Sequence, residues 1–312
     1  MREYHLIRIS DLKAKALGFA PRFGAKLGAF LFSAALFLTA GCSSVFYQPD
    51  QSLYYLPSKF GLAAEEFALK TVDGETIYAW FLPAQKTKTS SKPKGTFVQF
   101  HGNAENMSSH YLALAWLVKE GYNLFVFDYH GYGKSTGTPS QETLYQDGLL
   151  AMKKAYELHE AAGGGRFIIF GQSLGGAVAA RAVQDFKPKT GISLLVLEST
   201  FASYKNVATE VLSNHWYSWP FQWLGYLLVS DEYASRDALK QCSSRLLVMH
   251  DKRDTAVPFS CGKDVFETAS CAPKELWTFD KGRHIGAFAM DEAETRARFL
   301  RLLDTLRDAL PQ

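Results

Sequence analysis

The stretch Gly171-Gln172-Ser173-Leu174-Gly175-Gly176 decides how this sequence folds. It follows the apolar run 167–170, which is typical of a buried strand, and it opens a run that is typical of a helix. A sharp strand-to-helix turn strains the backbone at Ser173, and the flanking glycines relieve the crowding because they lack a Cβ atom. The turn exposes the Ser173 hydroxyl at a helix N-terminus, where the helix dipole favours developing negative charge. Ser173 is therefore the candidate nucleophile, and the alternative is a glycine-rich turn with a capping serine.

Short apolar strands alternate with amphipathic helices around this turn. This pattern predicts an α/β fold with right-handed crossovers and a mostly parallel sheet of about eight strands flanked by helices. A hairpin over residues 66–82, with its turn at Asp73-Gly74, precedes the series and makes the sheet mixed. The other predicted strands are 96–100, 123–129, 167–170, 193–197, 244–249 and 275–279, and the predicted helices are 107–120, 141–160, 174–186 and 285–310.

The segment 201–240 interrupts the alternation, because it separates two predicted strands by more residues than one crossover needs. We expect it to form a lid beside the site. It is rich in aromatic residues, and its middle part contains Trp216, Tyr217, Trp219, Phe221, Trp223 and Tyr226. They could line an acyl pocket, form the lid's own core or face a membrane, and we favour a pocket together with a core.

A serine hydroxyl needs a base to accept its proton, and in this fold the acid and the base follow the serine in the order acid, then histidine. His284 is the only one of the eight histidines beyond the last predicted strand, in a loop that can reach over the sheet edge. The acid is expected after the preceding strand, where Asp254 is our choice. Asp251 and the more remote Asp280 are its rivals.

The loop after strand 96–100 is expected to complete an oxyanion hole. In this fold one backbone N–H from that loop and one from the residue after the nucleophile bind the tetrahedral oxyanion. We assign these two donors to Asn103 and Leu174. His101 is interpreted as orienting the loop, and Asn106 as a cap of the following helix.

With these motifs, the sequence from about residue 66 to 305 resembles the α/β-hydrolase-domain serine hydrolases of the Bem46-like group. The resemblance rests on His101-Gly102-Asn103-Ala104-Glu105-Asn106, on Asp128-Tyr129-His130-Gly131-Tyr132-Gly133-Lys134-Ser135, on the turn at Ser173 and on the loops of Asp254 and His284. Two positions depart from the group's pattern, since His130 stands where it usually has arginine and Asp251 replaces a glycine.

This resemblance implies the α/β-hydrolase fold and acyl transfer to water through a Ser-Asp-His triad, with no cofactor. The expected function is a serine hydrolase that cleaves an ester or a thioester of a small acyl or lipid-like substrate. Relatives in the group include serine-aminopeptidase-like proteins and protein depalmitoylases. A peptidase or amidase on the same triad, and a non-catalytic lipoprotein that keeps the fold, therefore remain alternatives.

The pattern of the N-terminal residues indicates a targeting signal. Residues 1–41 hold six basic and two acidic residues, a net charge of +4, so the rest of the +3 chain carries −1. The 14 apolar residues 27–40 are too few for a membrane span and fit the core of a signal peptide. Thr39-Ala40-Gly41-Cys42 resembles a bacterial lipobox, which implies lipidation at Cys42. A plain cleaved signal and an uncleaved anchor are the alternatives.

The predicted organisation is a signal peptide over 1–41, a lead-in over 42–64 and a hydrolase domain over 65–312. The resemblance to a lipobox implies export and a lipid anchor in the cell envelope, with Ser43 favouring the outer membrane facing the periplasm. The near-neutral domain excludes a nucleic-acid surface, which needs clustered basic residues.

Three further cysteines bear on the compartment, because export places them in an oxidising environment. Cys242 and Cys271 precede consecutive predicted strands at the same end of the sheet, so a bridge between them is geometrically plausible, and three unpaired core cysteines remain the open alternative. Cys261 lies inside the intervening helix and is expected to be buried and inert. These cysteines lack zinc spacing, and we expect neither a metal nor a cofactor.

Overall fold

The computed structural model describes residues 47–86, 92–188, 191–213, 219–289 and 292–306. The predicted signal peptide and Cys42 lie outside these ranges. An eight-stranded sheet runs through the domain in the order β1-β2-β4-β3-β5-β6-β7-β8. Its strands are β1 Glu65–Lys70, β2 Thr76–Leu82, β3 Gly95–Phe100, β4 Tyr122–Phe127, β5 Arg166–Gln172, β6 Leu194–Glu198, β7 Leu246–Asp251 and β8 Lys274–Phe279.

The sheet is mixed, as predicted. β1 and β2 form an antiparallel hairpin, β2 also pairs antiparallel with β4, and the remaining neighbours are parallel. Gly74 adopts a φ of +89° in the hairpin turn, a conformation that favours glycine. The predicted α/β class with its mostly parallel sheet is confirmed.

Helices cover both faces of the sheet. They are α1 Met107–His110, α2 Trp116–Lys119, α3 Gln141–Ala161, α4 Leu174–Asp185, α5 Tyr204–Ser213, α6 Trp223–Leu228, α7 Arg236–Leu239, α8 Phe259–Thr268 and α9 Ala293–Asp304. One buried core unites α3, α4 and α8 with the sheet, and a second unites α1, α2 and α9 with its other face. Burial of these two apolar layers is the main favourable contribution to folding.

The predicted helix 107–120 is wrong, because the chain forms α1, a short 3-10 turn at Tyr111–Ala113 and then α2. The Gln99 side chain donates to the His110 carbonyl at 2.8 Å, so that carbonyl has a partner outside the helix. Tyr111 is fully buried against Trp80 at the same point. A sheet side chain and a core aromatic therefore break the helix that periodicity alone favours.

The start of the predicted helix 285–310 is also wrong, because α9 begins only at Ala293. The N–H groups of Gly286 and Ala287 donate to the buried carboxylate of Glu198, and Gly286 has a φ of +128° that a helix does not allow. The predicted end at 310 lies outside the described residues.

The lid segment contains α5, a 3-10 turn at Trp219–Phe221 and α6. Trp219, Phe221, Trp223 and Tyr226 are all more than half exposed. They therefore do not form a core of the lid, contrary to that part of the interpretation we favoured. Trp216 and Tyr217 lie outside the described residues.

Cys242 and Cys271 form a disulfide at the end of the sheet opposite Ser173, which decides between the two alternatives that the sequence left open. Cys261 is a buried free cysteine in α8, as expected. Burial raises the pKa of its thiol, which keeps it protonated and unreactive. Within the described ranges, no helix is long and apolar enough to cross a membrane.

His130 connects the hairpin to α3. It is buried, and its ring lies 2.8 Å from Asp147 through Nδ1 and 3.2 Å from Asp73 through Nε2. Burial lowers the pKa of His130, but the hydrogen bond and charge of Asp147, aided by Asp73, outweigh it and raise the pKa overall. A cation stabilised in this way favours the folded state.

We expect His130→Asn to lower the free energy of unfolding by about 3 kcal/mol at pH 6, because it removes the cation that Asp147 and Asp73 stabilise in the folded state. The folded pKa of His130 is raised, so its stabilisation is complete below the unfolded pKa of about 6.5 and is lost as pH rises through the folded pKa. The cost of the substitution should therefore shrink above pH 7, as measured by urea unfolding from pH 6 to 9.

His159 offers a matched control, since burial lowers the pKa of its imidazole. His159→Asn should show the opposite trend, with a cost that shrinks towards acidic pH. A pH-independent cost for His130→Asn would contradict the assigned charge.

Candidate active site

Ser173 lies in a strained turn between β5 and α4. Its φ of 52° and ψ of −121° belong to a region that L residues rarely adopt, and its N–H donates to the Glu198 carbonyl at 2.8 Å. A Cβ on Gly171 would lie 2.6 Å from Gly176, and one on Gly175 would lie 2.3 Å from the carbonyl oxygens of Phe100 and His101. Only glycines allow this close approach, as the sequence motif predicts.

Three side chains meet at the carboxyl edge of the sheet. His284 Nε2 lies 2.8 Å from Ser173 Oγ, and His284 Nδ1 lies 2.8 Å from Asp254 Oδ2. Asp254 is buried, Ser173 is nearly so, and the His284 side chain keeps 28% of its surface exposed. The structure thus brings together all three residues predicted for the triad, in hydrogen-bonding order.

Asp254 is held as a carboxylate. Its Oδ1 accepts the N–H groups of Ala256 at 2.9 Å and Val257 at 3.0 Å, and the His250 ring lies 3.5 Å from Oδ2. Burial alone would raise the pKa of Asp254. The contacts with His250, His284 and Val257 outweigh burial and hold the pKa well below its ordinary value. An anion in this position fixes a proton on His284 Nδ1 and leaves Nε2 free to accept one.

The two rival carboxylates lie elsewhere. Asp251 accepts the N–H groups of Arg253 at 2.8 Å and Lys281 at 2.7 Å, and so ties together the loops that carry Asp254 and His284. Asp280 is exposed and pairs with the Arg253 guanidinium at 2.6 Å. Asp251 therefore has a structural role at the site, and Asp280 lies on the surface.

The two predicted oxyanion donors lie on either side of Ser173. Leu174 is the first residue of α4, and Asn103 lies in the loop after β3, whose Gly102 approaches the Ser173 Cβ. Among the described residues, neither backbone N–H donates to another group of the protein. The Asn103 side chain instead accepts the Gln48 N–H at 3.0 Å and the Tyr132 hydroxyl at 2.9 Å.

The lead-in segment 47–56 packs against the outside of the loop that carries Asn103. The sequence did not predict this contact, because a segment without apolar periodicity does not indicate which part of the domain it contacts. Asn106 Nδ2 donates to the carbonyls of Asp50 at 2.9 Å and Ser52 at 2.7 Å, while its Oδ1 caps α1 through the Ser108 N–H. The predicted cap at Asn106 is confirmed. The same side chain also binds the lead-in to the loop that carries Asn103.

Two histidines complete the loop's support. His101 Nδ1 lies 2.7 Å from the Gly102 carbonyl, its Nε2 lies 3.4 Å from Asp128, and the ring is buried. His110 Nε2 contacts the Ala104 carbonyl at 3.0 Å, and burial lowers the pKa of His110 to about 4. Neither ring is among those bonded to Ser173, so both shape the loop, as predicted for His101.

Glu198 is the site residue that sequence reasoning missed. Its buried Oε1 accepts the N–H groups of Gly286 at 2.8 Å and Ala287 at 2.7 Å, and its Oε2 accepts Gln172 Nε2 at 2.8 Å. The carboxylate thus connects the strand that leads to Ser173 with the loop that carries His284. A charged residue at the end of the apolar strand 194–198 was the available signal.

We expect Glu198→Gln to lower kcat about a hundredfold, because a loss of about 1 Å in alignment between base and nucleophile has this effect. A glutamine side chain has one acceptor oxygen and one NH₂ group. The NH₂ group would face either the N–H donors of the His284 loop or the Nε2 donor of Gln172, so one of these hydrogen bonds would be lost. Steady-state kinetics on a p-nitrophenyl ester measure the loss, and thermal unfolding shows whether the fold survives.

Glu292→Gln is the matched control, since Glu292 contacts the same loop through Arg283 and Lys281 as ion pairs at 3.4 and 3.5 Å. We expect a change of less than about threefold from this partly exposed pair. Equal losses from the two substitutions would show that Glu198 has no special positioning role.

Comparison with known proteins places this site in a family. The family described as serine aminopeptidase, S33, matches residues 91–241. The uncharacterized protein YfhR of Escherichia coli O157:H7 is 34% identical over 245 residues, which cover 78% of this chain and 80% of YfhR. Protein bem46 of Schizosaccharomyces pombe is 30% identical over 247 residues, which cover 77% of each chain.

Solved structures agree on the fold. The Pyrococcus furiosus esterase Pf2001 aligns with a TM-score of 0.65 at 18% identity, over 84% of this chain and 98% of the esterase. An acylaminoacyl peptidase from Pyrococcus horikoshii aligns with a TM-score of 0.59 at 15% identity, over 80% of this chain and 43% of the peptidase. Sequence and fold together show that this chain belongs to the Bem46-like group of the α/β-hydrolases.

Proposed function

We propose that this α/β-hydrolase is a serine esterase or thioesterase that works through an acyl-enzyme. The observation that carries the proposal is the continuous hydrogen-bonded chain from Ser173 Oγ through His284 to Asp254, with both links at 2.8 Å. A base within hydrogen-bond reach of the nucleophile, itself oriented by a buried carboxylate, is the arrangement that activates a serine.

Each residue has one role in the proposed reaction. His284 Nε2 takes the Ser173 proton as Oγ attacks the acyl carbon, and the N–H groups of Asn103 and Leu174 stabilise the oxyanion. The imidazolium then gives its proton to the leaving alcohol or thiol, which departs and leaves the acyl group on Ser173. A water molecule, deprotonated by the same imidazole, releases the acid and restores the serine. The steps need no cofactor.

An acyl or lipid-like substrate is favoured over a peptide. A peptidase needs polar or charged groups that hold a peptide terminus, whereas the lid segment carries the exposed side chains of Trp219, Phe221 and Trp223. These side chains offer apolar contact and no charge. A peptidase or amidase that uses the same three residues is the second candidate, favoured by the described family match over residues 91–241.

We also propose that Cys42 carries a lipid anchor and holds the domain on the envelope side of a bacterial membrane. The Cys242–Cys271 disulfide supports this location, because such bonds persist in oxidising compartments. Labelling with an alkynyl palmitate in a bacterial host tests the anchor. We expect the label on the wild type and its loss in Cys42→Ala, and equal label on both would reject it.

Two assays on purified protein test the chemistry. A fluorophosphonate probe should label the folded enzyme at one serine, and a folded but unreactive protein would favour a binding role. A series of p-nitrophenyl esters of rising chain length, run beside aminoacyl anilides, then identifies the leaving group. We expect turnover of the esters at least a hundredfold above the anilides, and the reverse order would favour the peptidase.

A further inference from the structure

The lid presents an apolar face to solvent. This lid face consists of six side chains, and each exposes between 39% and 71% of its surface: Trp219, Phe221, Trp223, Tyr226, Leu227 and Leu228. Six large apolar side chains exposed within ten residues of sequence are the pattern expected of a surface that binds a partner or a membrane. The mixture of tryptophan, tyrosine and leucine matches the composition of segments that lie in the interface of a lipid bilayer.

The lid face points away from the domain because of how α6 packs. Gly225 is the buried residue of this helix, and a Cβ there would lie 2.8 Å from the backbone nitrogen of Thr209 on α5. The close approach through Gly225 turns Tyr226 and Leu227 outward. The lid therefore uses its smallest residue for internal packing and leaves its largest apolar residues exposed.

The charges of the lid support an anionic, membrane-like occupant. Lys205 Nζ lies 5.4 Å from the centre of the Tyr226 ring, so a cation borders the lid face. Two nearby carboxylates are turned towards the domain, since Glu210 bonds Ser260 and Asp231 bonds Ser203. The basic residue at the rim suits the headgroups of an anionic bilayer, whereas Glu232, four residues after Leu228, stays exposed.

The position of the lead-in supplies the argument for a bilayer. Tyr47 is buried in the core that also contains Tyr204 and Val207 on α5 and Val229 just after α6. Cys42 precedes Tyr47 by five residues, which span at most about 18 Å of extended chain. A lipid at Cys42, or an uncleaved anchor, therefore keeps Tyr47 within this distance of the membrane, and Tyr47 lies close enough to Tyr204 at the start of α5 to contribute to the raised pKa of Tyr204.

The lid also begins beside the nucleophile. The Thr200 hydroxyl donates to the Ser173 carbonyl at 2.6 Å, and α5 starts four residues later. We propose that the lid face inserts into the interface of the bilayer that holds Cys42, so that Ser173 faces acyl substrates presented by that membrane. This inference rests on the proposed anchor at Cys42.

Depth-dependent quenching tests the insertion without reference to catalysis. The full chain is purified with its anchor and placed in nanodiscs of phosphatidylethanolamine and phosphatidylglycerol, with and without brominated acyl chains. We expect bromine to quench tryptophan fluorescence in the wild type and most of this quenching to disappear in Trp219→Phe/Trp223→Phe. The matched control is Trp80→Phe/Trp277→Phe, which removes two buried tryptophans and should retain the quenching.

The outcomes separate this inference from the proposed function. Equal quenching in all three proteins, or none in the wild type, overturns insertion whether or not the enzyme is active. A concentration-dependent dimer abolished by Trp219→Ser/Trp223→Ser, with no quenching, assigns the lid face to a second copy and overturns it as well. If insertion holds, the same double serine variant should lower the ratio of turnover on vesicle-borne to soluble esters about tenfold.

Discussion

Replacing Ser173 by alanine is expected to lower kcat on a p-nitrophenyl ester by about a millionfold and to abolish labelling by a fluorophosphonate. The substitution removes only the hydroxyl group, and the proposed acyl-enzyme cannot form without its oxygen. His284 and the two backbone donors remain, so a residual rate about a thousandfold above that in water is expected from oxyanion stabilisation and binding.

The loss should come without unfolding. Alanine keeps the Cβ atom and the φ of +52° that the turn between β5 and α4 already tolerates, so the thermal midpoint should move by less than about 3 °C. Ser135→Ala provides a control, since Ser135 is also buried and hydrogen-bonded, to the Asp128 carbonyl at 3.0 Å. It should retain labelling. Persistent labelling of Ser173→Ala would place the nucleophile elsewhere.

The strand-to-helix turn was predictable because its constraint is local. Gly171 and Gly175 are required by the close approach of neighbouring backbones, and this requirement appears directly in the sequence as a spacing of glycines around a serine. The order of strands that follow then places Asp254 and His284 at the same sheet edge. Topology thus predicted the loops that carry the acid and the base, and left Asp254 to be separated from its rivals Asp251 and Asp280 by the structure.

The errors came from contacts that only the folded chain makes. The helix expected from residue 285 does not form because Glu198, nearly ninety positions earlier, binds the N–H groups of Gly286 and Ala287. The helix expected over 107–120 breaks where the Gln99 side chain donates a hydrogen bond to the His110 carbonyl. Helical periodicity reports which face is apolar and contains no information about a distant side chain that competes for a backbone group.

The lid shows a different limit. Its aromatic residues suggested burial, because large apolar side chains usually lie inside a domain. The structure leaves Trp219 and Trp223 exposed, while Gly225 of α6 packs closely against Thr209 of α5. Composition identified an unusual segment, but it could not distinguish a core from a surface that binds a partner.

Asp254→Asn is expected to lower kcat about ten-thousandfold while leaving KM and the fold nearly unchanged. The amide would still reach His284 Nδ1, but it favours the tautomer with the proton on Nε2, which cannot accept the proton of Ser173. The carboxylate is also lost as the partner of the imidazolium. Since its contacts hold the pKa of Asp254 well below the ordinary value, the wild-type group stays ionised throughout the assay range.

Asp251→Asn discriminates between the two carboxylates. The His284 ring is bonded to Asp254 and Ser173, whereas Asp251 accepts the N–H groups of Arg253 and Lys281. In the variant, the NH₂ group of the asparagine would face one of these N–H donors, and that hydrogen bond would be lost. We therefore expect a fall of several degrees in the thermal midpoint and a loss in kcat of only about tenfold. Steady-state kinetics and thermal unfolding on both variants give the ranking. The residue that sets the His284 tautomer should have the larger effect on kcat and the smaller effect on the thermal midpoint. A larger kcat loss at Asp251 than at Asp254 would therefore assign the role of the acid to Asp251.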